Sequence, residues 1–225
     1  MEPVPALVTL HVWRVPRSAV PRALARVGLD RGRARRTPGV TFSKLLGTGA
    51  SFGVTSADLT RWAKLTCWSA PGRDLVAATW DALATERWRV ELRPLASTGR
   101  WSRREPFGTP TPSRYVGPVA ALTRARLRPT RAAAFWTAVP GVEAALQGSP
   151  GLRASLAVGE APVGLQGTLS VWESPEALRA FAFDDPAHVG AIRDTTRIGW
   201  YAEELFARFA VVASEGSLDG RDPLA

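Results

Sequence analysis

The strongest constraint in the sequence is an internal repeat. The stretch LTCWSAPGRDLVAATW (Leu65–Trp80) lies against LSVWESPEALRAFAF (Leu169–Phe183), and Trp68 and Trp172 each stand three residues ahead of a proline with a serine between. LLGTGA matches LAVGEA in the same way and sets Gly47 beside Gly159. Identity between the copies is weak, but the order of elements recurs with these landmarks. Period-two alternation marks strands at Val8–Val15, Val40–Gly49, Thr60–Ser69 and Arg87–Leu95, and helical spacing marks a helix from Ser18 and another over Gly72–Leu83. The second copy gives strands at Val119–Leu127, Leu152–Pro162, Gly167–Ser174 and Glu204–Val212, with helices over Arg131–Leu146 and Ser174–Phe183. Pro140 is expected to kink or split the first of these helices. Ser174 at the N-cap, followed by Pro175, opens the second.

A βαββαβ order repeated twice predicts an α+β fold: two ferredoxin-like units whose helices cover one sheet face each. The bare faces then pack on one another as an α+β barrel. The expected organisation is a first unit over 1–101, a Pro- and Gly-rich linker over 102–117, a second unit over 118–213 and a flexible tail over 214–225. Alternation splits each strand into two faces. The compact set Ala63, Leu65, Cys67, Leu169 and Val171 is expected beneath the helices. Trp62, Trp68 and Trp172, together with His11 and Lys64, are expected on the side turned toward the other unit.

Composition removes several function classes. The net charge of +9 is carried almost wholly by arginine, Lys44 and Lys64 being the only lysines, and asparagine is absent. That pattern points to codon bias rather than a binding code, and no nucleic-acid motif accompanies it, so nucleic acid is not the expected partner. The RGRARR run (Arg31–Arg36) reads as a solvated loop, or otherwise as a patch for an acidic partner. Cys67 is the single cysteine, which excludes an intrachain disulfide and multi-cysteine zinc. No apolar run is long enough to span a bilayer, and MEPVPALVTL lacks the basic start of a signal peptide, so the expected location is the cytoplasm. Peripheral membrane contact and homo-oligomerisation stay open.

There is no phosphate-binding glycine motif and no nucleophile elbow; LLGTGA reads as a strand-end turn. The two histidines therefore carry weight. His11 shares a strand face with Trp13 and reads as a hydrogen-bonded core or barrel-interior histidine. His188 follows Pro186, which can open a short helix; it reads as a surface residue or as a ligand. A lone imidazole without cysteine or carboxylate partners suits haem better than zinc, because haem iron needs only one protein ligand. Lys44 alternates with Phe42 and Leu46, and either snorkels from an apolar face or meets a carboxylate. It is the one candidate catalytic side chain.

The strings LHVWRVP, FSKLLGTG, GRWSRREPF, the FW–VP–V run from Phe135 to Val142 and WYAEELFARF together resemble the spheroidene monooxygenase family of carotenoid biosynthesis, from about Leu10 to Val212. The resemblance implies a haem cofactor, dioxygen, an external electron donor such as a partner protein, and insertion of oxygen into a small apolar, polyene-like substrate. More distantly, WESPEALRAF followed by Ala–His is similar to the helix of ferredoxin-like haem-degrading monooxygenases. That likeness implies His188 as axial iron ligand and Phe181 as the aromatic against the porphyrin, with Trp200 and Phe206 as further apolar walls. Haem degradation itself is not expected, since the asparagine those enzymes use is missing. The alternatives are a cofactor-free monooxygenase of the antibiotic-biosynthesis type and a non-enzymatic haem or small-ligand binding protein.

Overall fold

The computed structural model describes residues 2–49, 51–53, 56–160 and 167–225. Eight strands run in chain order: β1 (Leu7–Arg14), β2 (Val40–Gly49), β3 (Ala57–Trp68), β4 (Glu86–Gly99), β5 (Val119–Leu127), β6 (Leu152–Gly159), β7 (Gly167–Trp172) and β8 (Tyr201–Gly216). The helices are α1 (Val20–Arg36), α2 (Leu75–Asp81), α3 (Ala132–Gln147), α4 (Pro175–Asp184) and α5 (Pro186–Asp194). Spatial order within the first unit is β4-β1-β3-β2 and within the second β8-β5-β7-β6, every pairing antiparallel. The two sheets join edge to edge, β4 to β8 and β2 to β6, and close an eight-stranded barrel. Closure leaves neither unit with an open strand edge.

The matched glycines stand opposite each other on one seam, Gly47 pairing with Gly159. On the other seam the ends of β4 and β8 exchange equivalent places: Gly99 faces Leu205, and Gly216 faces Trp88. Both take positive φ, +86° each, and a Cβ at either would sit 2.2 Å from a carbonyl oxygen of the partner strand. Only glycine admits that turn and that approach.

The faces are the reverse of the expectation. Val8, Leu10, Ala63, Leu65, Cys67, Leu169 and Val171 point into the barrel, where side chains from all eight strands form the main core. Trp13, Trp62, Leu45 and Trp80 form a second core beneath α1 and α2, and Trp172 packs with Leu146 of α3 and Leu178 of α4. Trp68 shares the face of Trp62 and donates from Nε1 to Thr9 Oγ1. The reason is room: Trp88, Trp101, Phe107 and Phe209 already fill the barrel interior, so β3 and β7 turn compact side chains toward it and their tryptophans toward the helices. His11 and Lys64 accordingly lie on the helix side, as a cross-strand pair.

Four further expectations change. The RGRARR run forms the last turns of α1 and is not a loop. α3 runs through the exposed Pro140 as one helix. The 102–117 segment is more than a linker: Trp101 just ahead of it and Phe107 within it are buried in the barrel core, Phe107 edge-on to Phe209. The 214–225 segment packs instead of trailing as a flexible tail. β8 continues to Gly216, Leu218 enters the barrel core and bridges to Arg221, and Asp219 pairs with Arg14 and Arg61. Residues 161 and 162, placed at the end of a strand in the sequence reading, lie outside the described residues. Among the described residues no helix is long and apolar enough to cross a membrane.

Candidate functional site

The two units differ most in what lies between sheet and helices. In the first, α1 and α2 press onto stacked rings: His11 on Trp13 at 5.3 Å and Trp13 on Trp80 at 5.4 Å between centroids. In the second, α3 buries only Leu146 and α4 only Leu178. The helices stand off the sheet, and a cavity of about 750 Å³ opens between them, within the range of small-molecule sites.

Strand register explains the difference. Leu7 opposes Trp68 in the first unit as Val119 opposes Trp172 in the second. Stepping two residues at a time, Thr9 and Thr66 correspond to Ala121 and Ser170, His11 and Lys64 to Thr123 and Thr168, and Trp13 to Ala125. Small side chains therefore replace a tryptophan, a histidine and a lysine. Ala121, Thr123, Ala125, Thr168 and Ser170 form the cavity floor. Its roof comes from α3, α4, α5 and the π-helical turn Thr195–Gly199, with Phe135, Val139, Phe181, Ile192 and Trp200 among the lining residues.

His188 lies in this roof. Asp185 N-caps α5 by accepting the His188 amide at 2.9 Å, which fixes the first turn. The ring Nδ1 is 3.0 Å from Ala182 O. A carbonyl can only accept, so this bond requires the proton on Nδ1 and leaves Nε2 with a free lone pair in the neutral ring. Phe181 packs against the imidazole at 4.5 Å and stacks on Trp172 at 5.3 Å. Trp200 is buried on the cavity wall, and its Nε1 has no hydrogen-bond partner among the described residues. Tyr201, also on the wall, has its phenol pushed up by burial and stays protonated. Phe206 lines the cavity and is partly exposed at its edge, as are Phe183 and Ile192.

The structure thus brings His188, Phe181, Trp200 and Phe206 around one cavity, and does not bring Lys44 there. Lys44 points into the end of the barrel, where its Nζ lies 2.6 Å from Ser102 Oγ and 3.0 Å from Glu160 Oε2. Glu160 also accepts from Trp101 and Arg124, and Arg124 pairs with Glu203. Burial pulls the Lys44 ammonium below its ordinary value, while Glu160 opposes the shift. Burial works to raise Glu160, but Trp101, Lys44 and Arg124 together hold it below the usual carboxylate range. This network stoppers the barrel end. His11 sits at 7 % exposure against Trp13, away from the cavity. Missing from the sequence reading were the floor threonines and Ala125. Their signal was present in the mismatch of the repeat, where large residues of one copy face small ones of the other.

Among the described residues lining the cavity, His188 is the one imidazole. Among the described residues no three His, Cys, Asp or Glu side chains gather to hold a metal ion by themselves. A flat apolar group that needs one axial ligand fits these residues.

No family model matches the chain. The spheroidene monooxygenase of Rhodobacter capsulatus is 36% identical over 221 residues, 92% of this chain and 90% of that protein. That of Rubrivivax gelatinosus is 34% identical over 194 residues, 82% of this chain and 73% of that protein. Among solved structures, aldoxime dehydratase in complex with butyraldoxime superposes with a TM-score of 0.56 at 10% identity, over 91% of this chain and 79% of that one, which shows the shared fold. With over a third of its residues shared along nearly the full length of the first of these enzymes, the chain is a monooxygenase that belongs to the spheroidene monooxygenase family.

Proposed function

We propose that this chain is a haem-dependent monooxygenase that inserts one oxygen atom of dioxygen into an apolar, polyene-type substrate held between the second sheet and helices α3 to α5. The observation that carries the reading is His188, whose ring lines a largely apolar cavity with Nδ1 tied to Ala182 O and Nε2 left free. The fit to haem rests on that nitrogen, on the aromatic surfaces of Phe181 and Trp200, and on the buried Trp200 Nε1, which has no partner among the described residues and suits an acceptor on a bound group.

Bound haem would supply dioxygen activation. The substrate gains one oxygen atom, and the second leaves as water with two protons and two electrons from an external donor. The protein's residues do the rest. His188 would hold the group through Nε2, its ring orientation fixed by the Ala182 carbonyl and the Asp185 cap. Phe135, Val139, Phe181 and Ile192 exclude water and grip apolar carbon. The partly exposed Phe183 and Phe206 form a mouth through which a long chain can enter end first.

The test compares His188→Ala with His11→Ala after reconstitution with haem. Loss of a second-shell partner alone costs about 10–100-fold in metal affinity. His188→Ala should therefore weaken haem binding by more than about a hundredfold and abolish the parent's Soret band, while His11→Ala keeps it. The reverse result would refute the ligand assignment. A parent chain that binds no haem, yet transfers isotopically labelled dioxygen into substrate, would favour the cofactor-free alternative.

A further inference from the structure

Thr123 and Thr168 are cross-strand partners on the cavity floor, on the sheet side, while His188 is on the helix side. Among the described residues neither hydroxyl makes a hydrogen bond to a protein group. Their first-unit counterparts differ in this respect: Lys64 is satisfied within the protein by Thr66 and Asp74, at 2.7 and 2.5 Å. Shape does not explain the choice of residue. Valine fills the same volume and suits a strand equally well, yet two cross-strand positions of a largely apolar cavity carry hydroxyls. A hydroxyl facing an apolar space costs free energy unless something in that space bonds it.

We propose that the Thr123 and Thr168 hydroxyls, unlike the Ser170 hydroxyl that accepts from Trp172 Nε1, are turned to the ligand and donate hydrogen bonds to an oxygen atom of the molecule held in the cavity. The inference rests on the proposed function for the ligand's identity. The acceptor belongs either to dioxygen or to an oxygen substituent on the polyene, and the two sources are separable. The pair would fix which part of a long, nearly featureless chain stops beneath His188, a selection that apolar walls alone make poorly.

The experiment uses the full chain with Thr123→Val, Thr168→Val and the double variant, and with Thr→Ser at each position as the conservative control. Thermal unfolding and the Soret band of the haem-loaded chain establish that the variants fold and hold haem as the parent does. In the first arm the affinities of the ferrous protein for dioxygen and carbon monoxide are measured. Bound dioxygen accepts a hydrogen bond far better than carbon monoxide does. If dioxygen is the acceptor, each lost hydroxyl should weaken its binding about fivefold, leave carbon monoxide little changed, and be rescued by serine. In the second arm, tryptophan quenching reads the affinity for two detergent-dispersed polyenes that differ by one terminal oxygen. If the substrate is the acceptor, only the oxygenated polyene should lose about fivefold. Folded valine variants that keep both the dioxygen and the oxygenated-polyene affinities would overturn the proposal. A parent chain without haem would overturn the function reading instead, and the polyene arm would still decide the role of the hydroxyls.

Discussion

Burial of the His11 ring beneath α2 lowers its pKa from 6.5 to about 4, with Asp74 and Asp81 opposing and Lys64 and Arg89 reinforcing the shift. Above pH 6.5 the ring is neutral both folded and unfolded. Between 6.5 and about 4 the unfolded chain takes up the proton and the folded one does not, so stability falls as pH drops through that window. The loss should reach about 3 kcal/mol by pH 4 and should shrink in His11→Asn, measured as urea midpoints across the range. A parent and variant with the same pH dependence would contradict the burial argument. His11 also shows what one sequence can and cannot reveal about a residue. Its pairing with an aromatic and its role as a core histidine were legible from alternation. Its side of the sheet was not, because both faces of this barrel are buried, one by the opposite wall and one by helices. Hydrophobic alternation separates two faces but does not name them, and the compact Ala63–Leu65–Cys67 set went to the space that Trp88, Trp101 and Phe107 already occupy.

Among the elements, α5 holds the site with the least support. None of its described side chains is buried, and its start depends on the Asp185 cap. Asp185→Ala should cost about 1 kcal/mol of stability and loosen haem binding, whereas Asp185→Asn, which can still cap, should do neither. Equal haem affinity in Ala and Asn variants would mean that the cap does not position His188. The Pro186 start of this helix was readable from the chain, as were the Ser174 cap of α4 and the element order. The extent of β8 was not. Its last residues, Ala213 to Gly216, are paired along β4 only because the sheets close on each other, and no local pattern distinguishes such a segment from a polar tail. α3 likewise keeps its helix through Pro140, where the proline faces solvent.

At the scale of the molecule, neither unit is complete alone. The barrel core draws on all eight strands and on Trp101 and Phe107 of the connecting region, and Gly99 and Gly216 lock the long β4–β8 seam from both ends. A chain ending at residue 101 would expose the Val8–Leu10–Val12 face and two strand edges. It should form dimers or larger species by light scattering, and a folded monomer would contradict this account. The repeat made this architecture legible, since two bare sheets in one chain have each other as the nearest cover. Which copy is hollow shows only in the mismatch of matched strand positions, Trp13 against Ala125 and Lys64 against Thr168. That asymmetry has an evolutionary consequence. Two identical subunits paired in this way would have to carry every substitution twice, so a residue that tightens one site would tighten both. Joining the copies in one polypeptide removes the obligation. One copy can drift toward rigidity, with Trp13 and Trp80 filling it, while the other is free to change its lining, and among the described residues the cavity of ligand size lies in the second copy.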